Sequence, residues 1–166
     1  MPTKLDFYIS GELARIDQST KIGTQTTIID TLLKRNILLI NLMDKKFGII
    51  LDGNDTSDVE NIIYSEESED FLGIECKKAI INSINKKTKK STTSTIYYTN
   101  KIDNSYNINF KKLKGFPIYY EIISNNIIST YLAVEMTNKN IDPKIFEIDN
   151  KTSIYKMEDF RALMTQ

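Results

Sequence analysis

The 166-residue sequence has no histidine, one cysteine, six glycines and three prolines. Each shortage excludes something. Without histidine there is no Ser-His-Asp or Cys-His constellation and no histidine-bearing metal site. A lone cysteine, Cys76, cannot form an internal disulfide. The 22 Lys and Arg balance the 22 Asp and Glu, for a formal net charge of +0. The chain therefore lacks a field of one sign to draw nucleic acid or an anionic membrane surface. No apolar run approaches the roughly 18 to 20 residues of a transmembrane helix. Neither a Walker loop nor a GxGxxG turn is present. Gly and Pro are too scarce, and apolar residues too frequent, for a disordered chain.

What is abundant is isoleucine, tyrosine, threonine and asparagine. The first three suit pleated, half-buried surfaces and the last suits turns, so the composition leans to β structure. The length fits one domain spanning 1–166. Strand-like stretches follow one another at roughly ten-residue spacing, a meander pattern. They are LDFYIS, LARIDQ, QTTIIDTLL, ILLINLM and FGIIL, with turns expected at Gly11-Glu12, Lys34-Arg35-Asn36 and Asp44-Lys45-Lys46. DGNDTSD reads as a loop, VENIIY as a short apolar stretch and SEESED as an acidic connector. FLGIECKKAIINS and TSTIYYTN read as strands flanking a basic hairpin tip. KIDNSYNINFKKLKG reads as an irregular crossover. IISTYLAVEM alternates, with Ile128, Thr130, Leu132, Val134 and Met136 on one face, as a strand buried on one side does. Pro143 confines IDPKIFEID to a turn or an edge. Met157, Phe160, Leu163 and Met164 recur at helical spacing and predict a short C-terminal helix packed on the sheet.

Candidate chemistry is sparse. Cys76 alternates as a strand residue and is expected to point inward as a small hydrophobe. In DGNDTSD, alternating oxygen side chains resemble part of a calcium loop. However, Gly53 is misplaced and Ile63 stands where the closing glutamate belongs, so a solvated turn is the better reading. SEESED and KKTKK read as solvated charge runs. No pair of carboxylates stands out as a glycosidase-like pair. Arg15, expected on an inward-leaning strand face, needs a carboxylate or carbonyl partner.

Several ordered stretches resemble an uncharacterised envelope family of Gram-negative bacteria. FYISGELARID resembles its Y-x-x-G-x-x-x-R opening, and EDFLGIECKKA its I-x-G-Y-x-C-K-K-A segment. IYYTN resembles its YYT strand. LKGFPIYYEI is similar to its L-x-G-F-P-L-x-Y-E segment, and IDPKIFEID with YKMEDFRALM resembles its closing strand and terminal helix. The sequence departs from that pattern at Ile74, where an aromatic is usual, and at Asp149, where proline is usual.

The resemblance implies a mainly β, α+β fold similar to the Lol-type lipoprotein carriers. In it, a curved antiparallel sheet forms an unclosed half-barrel covered by helices, including a short C-terminal one. It also implies a periplasmic or outer-membrane-associated protein, exported with a signal sequence not seen in MPTKLDFYISG. The function expected is a non-enzymatic one without cofactor or metal: binding of a lipid or lipidated peptide in the concave face. Ile118, Tyr120, Ile122, Leu132 and Val134 are the expected lining. The alternative is a structural or protein-interaction module of the envelope, engaging another envelope protein and no small ligand.

Overall fold

A computed structural model describes residues 4–20, 23–42, 45–51, 58–85, 88–124 and 127–165. Among them the chain is mainly β, with two open sheets and one α-helix. It divides into two compact units, residues 1–54 with 139–166, and residues 55–138.

In the first unit, strands β1 (Lys4–Ser10), β2 (Leu13–Thr20), β3 (Gly23–Asp30), β4 (Arg35–Leu42) and β5 (Lys45–Leu51) form an antiparallel meander. Each strand pairs with the next one in the chain, as the spacing of the apolar stretches predicts. The β3–β4 turn occupies Thr31–Lys34, three residues before the expected position. Leu32 and Leu33, read from sequence as strand, therefore lie exposed on it. The local chemistry explains the shift. Asp30 Oδ1 accepts from Leu33 N at 2.8 Å, the Asx-type bond that starts a turn. Thr31 N donates to Glu12 O at 2.9 Å, tying this turn to the β1–β2 turn. Strand β5 likewise begins at Lys45, inside the expected turn.

The register fixes which side chains share a face. Leu13, Asp30 and Arg35 form one cross-strand row, and Arg15, Ile28, Ile37 and Ile50 the next. The opposite face carries Ala14, Ile16, Thr27, Ile29 and Ile49, all buried. At the far end of the chain β11 (Ser153–Lys156) adds in parallel to β5. Gly48 permits this: a Cβ there would stand 3.2 Å from both Ile154 and Ile37 side chains. Helix α1 (Met157–Met164) follows directly, with Glu158 and Asp159 in its first turn, where acids favour the helix dipole. Its Phe160 meets the Phe47 ring edge-on at 5.6 Å.

In the second unit, β6 (Asp58–Phe71), β7 (Ile74–Asn85), β8 (Ser91–Thr99), β9 (Phe116–Ser124) and β10 (Ile127–Leu132) form an antiparallel sheet in chain order. The SEESED stretch, expected as a connector, is strand: β6 runs through it with a bulge between Tyr64 and Ser68. Acid-rich sequence hides a strand here because its partner supplies the compensation, Lys78 reaching Glu67 at 2.7 Å. The FLGI stretch is a hairpin turn, with Leu72 and Gly73 both at positive φ, as a two-residue primed turn requires.

Among the described residues α1 is the one α-helix, and it packs against β5 and β11 of the first sheet. Over the second sheet its place is taken by the irregular segment 100–115, which lays Phe110 and Leu113 against Ala79, Ile81, Ile96 and Tyr98. Two asparagines hold this segment. Asn104 Nδ2 donates to the carbonyls of Phe110, Lys111 and Leu113. Asn107 Nδ2 donates to Asn104 Oδ1 and to Phe110 O, while its Oδ1 accepts from Asn109 N and Phe110 N. Backbone groups at the buried points of an irregular segment need partners, and here side-chain amides supply them.

Candidate functional site

The five residues expected to line a concavity do not share one surface. Tyr131 pairs with Tyr120, and Leu132 with Tyr119. Because strand side chains alternate, Tyr120 and Ile122 point to one face and Leu132 to the other. Tyr120 and Ile122 pack against the Ala79–Ile96–Phe110 cluster. Ile118 is buried with Cys76 and Phe116 in a second cluster. The split arises at the β8–β9 register shift, where Tyr97 pairs with Tyr119 but Tyr98 with Pro117, leaving Ile118 as the extra residue. Leu132 is half-exposed and Val134, past the end of β10, is 80% exposed. The alternation read from IISTYLAVEM is present, but its half-buried side is Ser129 and Tyr131 rather than Ile128 and Leu132.

The face carrying Leu132 also presents Ile63, Ile84, Ile123 and Ile128, each between 42% and 63% exposed. Thr93, Thr95, Thr130 and Glu121 stand between them. On the same face Phe71 stacks on Tyr119 at 5.5 Å, and Tyr97 meets both rings. On the other face Tyr120 stacks on Tyr131 at 4.7 Å and receives the Phe110 ring edge-on at 5.2 Å. Burial, followed by the nearby Tyr131, pushes the Tyr120 phenol well above its ordinary range.

Cys76 is fully buried, as its alternation predicts. Burial, reinforced by the charge of Asp70, pushes its thiol up, so it sits as a neutral small hydrophobe and not as a nucleophile. Arg15 has the partners its position called for. Its Nε donates to Asp17 at 2.9 Å, and its Nη1 to Ile145 O at 2.7 Å. Asp17 also accepts from Thr26 Oγ1 at 2.6 Å. Arg15 therefore fastens the segment around the short 3-10 turn Pro143–Phe146 over the face of β2 and β3. Of the DGNDTSD loop only Asp58 falls among the described residues, as does Thr88-Lys89-Lys90 of the KKTKK tip. No cluster of three metal-ligating side chains occurs among the described residues. No described helix is long and apolar enough to cross a membrane.

Arg15's fastening leaves a pocket inside the first unit. It has a volume of about 260 Å³ and is lined by Leu13, Ile28, Ile37, Phe146, Ile148 and Ile154, with Asp30 and Arg35 as its only charged lining. Six apolar side chains with two charged groups is a make-up found in small-molecule sites, and the volume falls just below their usual range of about 300–1,000 Å³. Asp30 and Arg35 are cross-strand partners, yet neither joins an ion pair among the described residues. Sequence reasoning missed this pocket because its walls come from β2, β3, β4, β11 and a segment more than a hundred residues away. The one available signal was Arg15, an inward arginine asking for a distant carbonyl.

No family model matches the chain, and no curated protein or solved structure matches it.

Proposed function

We propose that this is a non-enzymatic protein of the cell envelope, periplasmic or outer-membrane-associated, that binds a hydrophobic ligand, a lipid or lipidated peptide. The envelope setting, and the finer architecture of a curved half-barrel with helical cover, rest on the resemblance of GFPIYYE, CKKA and the closing segment. The ligand reading rests on one observation: the half-open pocket between β2–β4, Phe146, Ile148 and Ile154, six of whose eight lining residues are apolar. The site proposed is thus this pocket and not the β9–β10 hairpin, whose inner face is filled by Phe110 and Leu113.

The test is a titration of delipidated protein with a fluorescent single-chain acyl probe, alongside an Ile148→Trp variant. Ile148 is on a segment without regular structure, so it accepts a larger ring more readily than a strand position. Saturable one-to-one binding by the parent, lost in a variant with unchanged circular dichroism, is the result expected. Equal binding by both proteins would sink the reading.

A second reading, a protein-interaction module, is favoured by the several exposed apolar side chains that share one sheet face, Ile63, Ile84, Ile123, Ile128 and Leu132, since exposed apolar surface rimmed by polar residues marks interaction sites. Ile128→Asp with Leu132→Asp would then abolish capture of an envelope partner while leaving acyl binding intact.

A further inference from the structure

The pocket's two charged groups say what kind of head group it takes. Asp30 and Arg35 end one row of the sheet, at the β3–β4 turn, with Leu13 completing the row. Asp30 commits Oδ1 to Leu33 N at 2.8 Å. A carboxylate has about four acceptor sites, so it keeps capacity toward the pocket. Arg35 is exposed, and its guanidinium offers five N–H donors. The pocket therefore ends in a strong acceptor and a strong donor side by side, with the two charges cancelling.

We propose that the pocket binds a single acyl chain joined to an amide, the amide C=O accepting from Arg35 and its N–H donating to Asp30. This rests on the hydrophobic-ligand reading given above. The volume of about 260 Å³ has room for one chain and not several. A free carboxylate would satisfy Arg35 but face the like charge of Asp30, and like charges placed together are destabilising. An alkylammonium would satisfy Asp30 but face Arg35. A neutral group with one donor and one acceptor suits both residues, and both bonds are charge-assisted, the stronger class.

Calorimetric titration of the delipidated full chain tests this with three probes of equal chain length: N-decanoylglycinamide, decanoate and decyltrimethylammonium. The amide is expected to bind about tenfold or more tightly than either ion, the typical worth of a hydrogen bond to a charged group. Arg35→Met should lower amide affinity by a similar factor. Asp30→Asn keeps an Oδ1 for Leu33 N, so the turn is preserved. It should weaken the amide and strengthen decanoate, moving the preference toward the acid. Decanoate binding as tightly as the amide would overturn the head-group assignment while leaving the pocket reading standing. Failure of all three probes to bind would overturn both. A preference for the amide that Asp30→Asn leaves unchanged would also overturn the assignment, since Asp30 would then play no part.

Discussion

Gly115 and Leu72 show how one backbone position is written into the chain. A Cβ on Gly115 would lie 2.5 Å from Thr99 O and 2.7 Å from Asn100 Oδ1 and Tyr98 Cδ2, and backbone cannot yield as a side-chain tip can. Gly115→Ala should therefore destabilise the protein by about 2 kcal/mol, the scale of overpacking a filled site, read as a lower urea midpoint. The glycine of LKGFPIYYEI is there for close approach, while Phe116 is extended because it precedes proline. Leu72 presents the reverse case. It is a half-exposed leucine at φ 56, a conformation that costs an ordinary residue about 1–2 kcal/mol and that asparagine adopts readily. Leu72→Asn should stabilise the protein by about 1 kcal/mol, and an unchanged or lower midpoint would show that the leucine contributes packing instead. Cys76 belongs at this scale too. With its thiol buried and its pKa raised, it should resist alkylation in the native protein and react only under denaturing conditions. Rapid native labelling would contradict its placement.

At the scale of elements, the strands of the first sheet were legible because apolar residues recur between turn residues at a steady spacing. β1, β2, β4 and β5 lie where LDFYIS, LARIDQ, ILLINLM and FGIIL place them, each within a few residues. Three features were not legible, for physical reasons. The SEESED stretch lacks strand composition and is held by a cross-strand lysine that only the fold brings near. The β9–β10 alternation was read correctly, but alternation does not say which side is buried. The candidates Tyr120 and Leu132 fell on opposite faces for that reason. The cover over the second sheet has no periodicity, because its order comes from Asn104 and Asn107 bonding backbone carbonyls. Asn104→Ala would take a donor from the carbonyls of Phe110, Lys111 and Leu113, of which Phe110 O keeps Asn107 Nδ2 and Leu113 N, and should cost about 2 kcal/mol. It should also raise hydrogen exchange in residues 100–115 ahead of β7 and β8. Uniform destabilisation without that local loosening would argue against the asparagine clasp.

For the whole molecule, titration gives a direction. Burial raises the phenol pKa of Tyr98 and, more strongly, of Tyr120. Between the unfolded value near 10.0 and the raised folded value, the native state holds protons that the unfolded state has released. The phenols' contribution to stability is thus fully present below pH about 10 and is lost as pH rises above it. Tyr120→Phe should flatten that alkaline loss, measured as denaturation midpoints from pH 8 to 11, and an equal slope in both proteins would refute the assignment. Acid acts on other groups. Asp103 and Asp149 are held below the usual carboxylate range, Asp103 chiefly by the Ser105 amide and Asp149 chiefly by Lys46. Their contribution is present above the unfolded pKa and is lost as pH falls through the folded one.

The pocket of the first unit, and not the β9–β10 hairpin, is the proposed seat of the hydrophobic ligand. Hydrogen exchange of the delipidated protein with and without a saturating single-chain acyl ligand tests it most directly, because a ligand that binds only the native state suppresses local opening where it sits. Slowed exchange is expected along β2, β3 and β4 and at residues 145–148, with β8, β9 and β10 unchanged. Protection confined to β9 and β10, or no protection anywhere, would contradict it.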